Sequence, residues 1–141
     1  MQDNKDNSLI SNKYDHCNCL LCGEGNPIGL GLKFVLLGDG RVHTMLRGSR
    51  LLQGYKGIIH GGVMCALLDA AMVHCLFHHN VKSVTADMNI RFKKTIPINN
   101  MLDLYGELVS QKKNLYYMKS YIICNDEIMV EGSARFMKIK V

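Results

Sequence analysis

A histidine, two glycines and an aspartate occur at fixed spacing in the segment "HGGVMCALLDAAMVHCLFHH", which runs from His60 to His79. Between Val63 and Phe77 nearly every side chain is apolar, yet Asp69 lies in the middle. A carboxylate is costly to bury unless it is paired or takes part in chemistry. The glycines before it leave the backbone open to close approach, because they have no Cβ. This pattern indicates a backbone amide that polarises a carbonyl and a carboxylate that activates water or attacks directly.

The apolar segment 62–79 is predicted to form one buried helix, because Val, Met, Ala and Leu occupy all of its faces. It would be roughly 27 Å long at the usual rise per residue. The start of a helix carries unpaired backbone N–H groups and a partial positive charge. We therefore hypothesise that the Gly61 N–H binds the carbonyl oxygen of a substrate. The alternative is that Gly61 and Gly62 only permit a tight turn into the helix.

Strand-like segments flank this helix on both sides. Residues 30–37 and 41–48 form two predicted strands around a "GDG" turn. In "VTADMNIRFKK" the even positions from 84 to 92 are apolar and the odd positions from 85 to 93 are polar, which predicts a strand with one buried face. Three more strands are predicted at about 102–110, 115–124 and 127–139, the last with a bulge near Met137. The order β-β-α-β-β-β-β predicts an α+β domain whose curved antiparallel sheet wraps around the helix.

The chain of 141 residues, 48% of them apolar and 21% charged, has the composition of one soluble globular domain. Residues 1–15 are polar and are predicted to be a mobile tail, which leaves 16–141 as the domain and favours a cytoplasmic protein. The net charge of +5 accompanies no nucleic-acid-binding motif, so no nucleic-acid partner is predicted. The apolar run 63–77 contains Asp69 and His74 and is too short to span a bilayer, so no membrane partner is predicted.

Three of the six cysteines cluster in "HCNCLLCG", at residues 17, 19 and 22. The C-x-x-C of Cys19 and Cys22 is half of a zinc motif, and no second C-x-x-C follows it. His16 and Cys17 would complete a crowded local site, so zinc remains an alternative. The favoured interpretation is a cysteine-rich loop that packs near the core, and no metal is predicted.

Three segments of the sequence together resemble a known family. "GYKGIIHGGVMCALLDAAM" resembles the H-G-G-x-x-x-x-L-L-D-x-A-M segment of hotdog-fold acyl-CoA thioesterases, in particular their PaaI-like branch. "CLLCGEGNPIGLGLKF" is similar to the C-x-x-C-G-x-x-N-P-x-G-L start of many bacterial members, and "TADMNIRFKKTIP" is similar to the family's strand after the helix. The resemblance covers about residues 19–139. It implies a hotdog fold and hydrolysis of an acyl-CoA thioester.

The resemblance also implies a site that two subunits share. Asp69 lies roughly 12 Å along the helix axis from Gly61, so one helix could hardly bring both residues to the same carbonyl. The expected assembly is a homodimer, paired further into a tetramer, in which Asp69 of one subunit meets the H-G-G end of the other. Asp69 would be the general base or the nucleophile, and Thr85 would hydrogen-bond the attacking water. His60 would hold the loop, with Gln53 standing in for an asparagine that some relatives carry.

The predicted substrate is an acyl-CoA with a small, medium or aryl acyl group, and no cofactor is predicted beyond the coenzyme A of the substrate. The predicted substrate-binding residues are Gly62 beside the amide, Arg91, Lys93 and Lys94 for the phosphates, and Ile59 for the acyl tail.

One departure from the family pattern leaves another function open, and a third function is an alternative on the same fold. Ala70 stands where many relatives have a second acidic residue, which leaves room for a hotdog protein that binds acyl-CoA as a sensor or carrier without hydrolysing it. A hydratase or dehydratase on the same fold would usually need a differently spaced histidine and acid.

Overall fold

The computed structural model describes residues 13–140. The helix α1 spans Gly61–His78, and a short 3-10 turn at Arg50–Leu52 precedes it. The predicted order of strands and helix is confirmed. The strands are β1 (Val35–Leu36), β2 (Val42–Arg47), β3 (Ser83–Phe92), β4 (Met101–Lys112), β5 (Leu115–Cys124) and β6 (Glu127–Lys138).

The six strands form one antiparallel sheet in the order β1-β2-β4-β5-β6-β3. The sheet packs against α1, which confirms the predicted α+β hotdog architecture. The first strand is shorter than predicted, because only two residues of 30–37 pair with β2. The strand that follows the helix, β3, is an edge of the sheet, and its Val84 and Phe92 are 50% and 51% exposed.

The middle of α1 rests directly on the sheet at Gly106 of β4. A Cβ at that glycine would lie 2.4 Å from the carbonyl oxygen of Ala71, so no other residue fits there without moving the helix. By length and composition α1 could cross a membrane, with a mean hydropathy of 1.4, but 56% of it is buried inside the fold. The residues of α1 that stay exposed or half-buried include Gly62, Ala66, Asp69 and Val73, which follow one another at helical spacing. One narrow face of α1 is therefore left uncovered by the chain's own sheet.

A bulge in β3 corrects the predicted alternation of this strand. Thr85 pairs with Phe136 of β6 and Asp87 pairs with Arg135, so Ala86 is an extra residue in β3. An extra residue reverses which face the following side chains take. The sequence alternation placed Val84 on the buried face, and this was wrong, because Val84 is 50% exposed and the neighbouring Thr85 hydroxyl contacts α1.

The bulge expected near Met137 was also misplaced. Met137 pairs regularly with Val84, and the extra residue at that level belongs to β3. The irregularity in β6 itself lies at Met129, because Ile122 and Ile123 of β5 pair with Val130 and Ile128. At the Met137 end of β6 the irregularity in the pairing is therefore taken up by the partner strand β3.

The segment before β1 packs on the C-terminal half of α1. The ring of Tyr14 stacks on Phe77 with centroids 4.4 Å apart, and the Lys82 ammonium pairs with Asp15 at 2.8 Å. Residues 13–15 of the proposed tail are thus in contact with the domain, whereas residues 1–12 lie outside the described range.

Candidate active site

The carboxylate of Asp69 is held by a side chain of the sheet. Asp69 lies in the third turn of α1 and is half-buried on the uncovered face of the helix. The Thr85 hydroxyl donates a hydrogen bond of 2.6 Å to Asp69 Oδ1. A hydroxyl donor to a carboxylate makes a short, charge-assisted bond that fixes the orientation of the group. Among residues 13–140 no donor contacts Oδ2, so this oxygen is available to water or substrate.

The first turn of α1 is capped by the imidazole of His60. His60 Nδ1 accepts a hydrogen bond of 2.8 Å from the Gly62 N–H. Because Nδ1 is the acceptor, a neutral His60 carries its proton on Nε2. A Cβ at Gly54 would lie 3.2 Å from the ring and a Cβ at Gly62 would lie 3.0 Å from it. Because Gly54 and Gly62 have no Cβ, they leave just enough room for the imidazole. This explains why residue 62 is a glycine.

The amide of Gly61 is one of the N–H groups in the first turn of α1 that the His60 cap leaves without an acceptor. Helix geometry provides no intrahelical acceptor for it, and no other residue in the described range accepts its hydrogen bond. Gly61 has no positive φ, and a Cβ there would meet only Phe92, at an ordinary contact distance of 3.7 Å. The backbone conformation thus does not require glycine at this position. The need for a tight turn into the helix does not explain why residue 61 is a glycine. Close approach of a ligand to the Gly61 backbone explains it better.

A cleft of about 530 Å³ opens in front of this helix terminus. Tyr55 forms part of its lining and is 86% exposed. Gln53 Oε1 accepts a hydrogen bond of 3.1 Å from the Gly57 N–H, so Gln53 holds the loop that shapes the cleft. Ile59 also lines it but is only 2% exposed, so most of its side chain belongs to the core. The lining residues are Gln53, Gly54, Tyr55, Ile58, Ile59, His60 and Gly61.

The three basic residues predicted to bind phosphates lie at the end of β3 and are not part of that lining. Lys93 Nζ lies 3.5 Å from Glu131, and Lys94 pairs with Glu127. Arg91 faces the side of the sheet away from α1, where it lines a separate hollow.

The chain therefore holds two half-sites on one helix. Asp69 and Thr85 form one of them, and the Gly61 amide forms the other with His60 and Gln53. Eight residues of helix, about 12 Å of axial rise, separate Gly61 from Asp69.

Two residues at the H-G-G end were not identified from the sequence as parts of the site. Phe92 is the last residue of β3 and lies beside Gly61, and its even position in the alternating strand pointed to the inner face. Gly54 lies against the His60 ring and directly follows Gln53, which was identified from the sequence.

Comparison with known proteins gives a consistent family. The family model described as the thioesterase superfamily matches residues 56–130. Acyl-coenzyme A thioesterase THEM4 of Bos taurus is 30% identical over 116 residues, which are 80% of this chain and 48% of that protein. The chain spans about half the length of the curated relatives it matches.

Solved structures share the fold. A crystal structure of a thioesterase superfamily protein superposes with a TM-score of 0.81 at 24% identity, covering 86% of this chain and 60% of that one. A hypothetical thioesterase protein with coenzyme A from Streptococcus pneumoniae TIGR4 superposes with a TM-score of 0.71 at 19% identity, covering 76% of this chain and 87% of that one.

Proposed function

Because the chain belongs to the thioesterase superfamily, whose model matches just over half of it, we propose that it hydrolyses the thioester of an acyl-CoA. The observation that carries this proposal is the Asp69 carboxylate, fixed by the Thr85 hydroxyl at 2.6 Å on the uncovered face of α1. An inert position in an apolar helix would sooner hold an aliphatic residue. Relatives named as acyl-coenzyme A thioesterases and a similar structure with coenzyme A support the choice of substrate.

The Gly61 amide would polarise the thioester carbonyl. The oxygen of that carbonyl gains negative charge as the tetrahedral intermediate forms. The Gly61 N–H and the positive end of α1 would stabilise this charge, and the missing Cβ lets the oxygen approach. The imidazole of His60 keeps the neighbouring Gly62 amide occupied, so the oxygen is directed to the Gly61 amide.

Asp69 would activate the attacking group in one of two ways. As a general base, it takes a proton from water while the hydroxide adds to the carbonyl carbon. Collapse of the intermediate then breaks the C–S bond, and the departing thiolate takes the proton back, which gives the free acid and coenzyme A. As a nucleophile, Asp69 would displace the thiolate itself and form a mixed anhydride that water hydrolyses. Neither route needs a cofactor apart from the coenzyme A of the substrate.

Two copies of the chain would build each complete site. One helix separates Gly61 and Asp69 by about 12 Å, which is too far for a single carbonyl. The edge strand β3 carries Thr85 near its start and Phe92 at its end, beside Asp69 and Gly61 respectively. An unpaired edge can pair with an identical edge about a twofold axis, and the two strands then run antiparallel. In such a pair the Thr85 end of one copy lies next to the Phe92 end of the other, which brings the two half-sites together.

The cleft and the basic residues support a division of the substrate between two surfaces. The cleft before Gly61 would receive the part of the substrate around the carbonyl, with a small, medium or aryl acyl group. Lys93 and Lys94 would bind phosphates of coenzyme A, whereas Arg91 faces the other side of the sheet. Their present carboxylate partners are half-exposed, and exposed ion pairs are worth only about 0–1 kcal/mol, so a phosphate can compete for them.

Asp69→Asn tests this function directly. The variant keeps the shape of the side chain and an oxygen for Thr85, but it cannot take a proton. We expect kcat for thiol release from short, medium, long and aryl acyl-CoAs to fall about 10²- to 10⁴-fold. Asp87→Asn is the matched control, because Asp87 lies on the same strand as Thr85 and pairs with Arg135 on the outer face.

Two outcomes would contradict the proposal. Near-wild-type turnover by folded Asp69→Asn protein would remove Asp69 from the chemistry. Measurable binding of one acyl-CoA by the wild-type protein, with no hydrolysis of any, would favour the sensor or carrier instead.

A further inference from the structure

A second cluster of reactive side chains lies outside the proposed active site. His16, Cys19 and Cys22 precede β1, and one ligand atom from each lies within 4.8 Å of the others. The His16 ring packs edge-on against Phe77, with centroids 4.9 Å apart. The cluster therefore sits where the segment before β1 crosses the C-terminal half of α1.

The chain makes a tight turn after Cys19, and one backbone N–H of this turn donates to the cysteine sulfur. The Leu21 N–H donates to Cys19 Sγ at 3.3 Å, and the Gly23 N–H donates to the Cys19 carbonyl at 2.8 Å. A Cβ at Gly23 would lie 2.3 Å from the Cys19 amide nitrogen, so this turn requires glycine. An amide donor to sulfur stabilises thiolate charge and orients the side chain, as partners around metal ligands do.

The spacing of the three ligand atoms matches three corners of a zinc tetrahedron. Zinc binds cysteine sulfur at about 2.3 Å and histidine nitrogen at about 2.0–2.1 Å, so tetrahedral geometry places bound S and N about 3.6 Å apart. Cys22 Sγ and His16 Nδ1 are 3.5 Å apart. Two zinc-bound sulfurs lie about 3.8 Å apart, so no pair in the cluster, at 4.8 Å or less, needs to close by more than about 1.2 Å.

The histidine is held in place by the contacts of the two residues before it. The neighbouring Tyr14 stacks on Phe77, and Asp15 pairs with Lys82.

We propose that His16, Cys19 and Cys22 bind one Zn²⁺ ion, with water in the fourth position, and that the ion fastens the segment before β1 to the C-terminal half of α1. Binding converts the two thiols to thiolates and releases their two protons to solvent. Two thiolates and one neutral imidazole cancel the charge of the ion. The site therefore contributes to stability, and this proposal does not depend on the proposed hydrolysis. The proposed zinc site replaces the prediction from the sequence that the cysteine-rich segment is a loop that binds no metal.

Metal content of the purified chain tests the site. Protein reduced with a metal-free phosphine is incubated with excess Zn²⁺, separated from unbound ions and analysed by elemental mass spectrometry. We expect about one zinc per chain, and at least a fivefold lower content in His16→Asn and Cys19→Ser. Cys17→Ser is the matched control, because Cys17 is exposed in the same segment and its sulfur lies outside the cluster, so the variant keeps its zinc.

Two further measurements use the wild-type chain, so the test survives if a variant fails to fold. Titration with Co²⁺ should give the visible bands of a tetrahedral ion and the near-ultraviolet absorption of thiolate ligands. A zinc chelator should lower the thermal midpoint by at least about 4 °C.

Folded wild-type protein that holds no zinc above background, or that gives a Co²⁺ spectrum without thiolate absorption, overturns the proposal. Loss of zinc from Cys17→Ser overturns the assignment of three protein ligands. Zinc-free protein that forms a reversible Cys19–Cys22 disulfide would instead identify a redox pair.

Discussion

The Thr85 hydroxyl lies 2.6 Å from Asp69 Oδ1, so a side chain of the edge strand β3 sets the orientation of the carboxylate on α1. Thr85→Ala removes this donor without removing the acid. A hydrogen bond to a charged group contributes about 1.5–3 kcal/mol, so kcat should fall by about 10- to 100-fold while KM changes little. Thr85→Ser keeps the hydroxyl and should retain most of the activity. Steady-state thiol release measures both constants, and equal kcat values for the Ala and Ser variants would contradict this role.

The two glycines at the start of α1 should respond differently to the same substitution. Gly61→Ala places a methyl group at an ordinary 3.7 Å from Phe92, so the free energy of unfolding should change by less than about 1 kcal/mol. Its thioesterase activity should nevertheless fall at least tenfold, because the methyl group obstructs approach to the amide. Gly62→Ala crowds the His60 ring at 3.0 Å and should destabilise the fold measurably. Chemical denaturation and thiol release on both variants check this, and full activity in Gly61→Ala would contradict the proposed role of its amide.

A site shared between two copies predicts complementation between inactive variants. Asp69→Asn and Gly61→Leu each disable both sites of a homodimer. In a hybrid dimer of the two, one site combines an intact Gly61 with an intact Asp69. Random pairing of equal amounts makes about half of the dimers hybrid, so co-refolded mixtures should regain about a quarter of wild-type activity. Activity no greater than the mean of the separate variants would show that each chain works alone.

The His60 cap should contribute to stability apart from chemistry. His60→Ala leaves the Gly62 N–H without its acceptor, and loss of an N-cap costs about 0.5–2 kcal/mol of unfolding free energy. Asparagine is a strong N-cap residue, so His60→Asn should recover most of this loss. Urea denaturation of the three proteins measures the difference. If the Ala and Asn variants are equally destabilised, the imidazole acts mainly by packing against Gly54.

The buried His74 should make the fold less stable in acid. Burial, with smaller contributions from His16 and His78, lowers the pKa of His74 from 6.5 to about 3. The unfolded chain therefore binds a proton more readily, and the stability given by neutral His74 is complete above about pH 6.5 and lost progressively towards pH 3. His74→Phe keeps the ring that stacks on Phe34 and should reduce the pH dependence by up to about 1.4 kcal/mol per pH unit in that window. Unfolding free energies at several pH values test this, and parallel curves for the two proteins would contradict it.

The sequence predicted the elements well because their patterns are local. An apolar run of helical length and a series of alternating segments gave the element order that the structure confirms. The outward direction of Val84 could not be predicted in the same way. A bulge depends on how two strands pair, and the alternation of β3 continues in the sequence across Ala86, where the pairing slips by one residue.

In the candidate site too, the residues of a local sequence motif could be predicted, whereas neighbours from distant parts of the chain could not. The H-G-G motif and Asp69 were visible as residue types at a spacing, whereas the neighbours of Gly61 were not. Phe92 reaches Gly61 only because β3 lies at the edge of the sheet beside the helix terminus. The pairing of Lys93 with Glu131 likewise depends on strand register, which single-strand patterns do not contain.

Because Gly106 has no side chain, its backbone lies directly against the Ala71 carbonyl. This contact sets how closely α1 packs on the sheet. Any side chain at that position would raise the helix from the sheet and widen the gap between Asp69 and Thr85, although neither residue would be altered. Gly106, a residue of another strand that contributes no functional group, thus controls how the Asp69 carboxylate is aligned with the Thr85 hydroxyl.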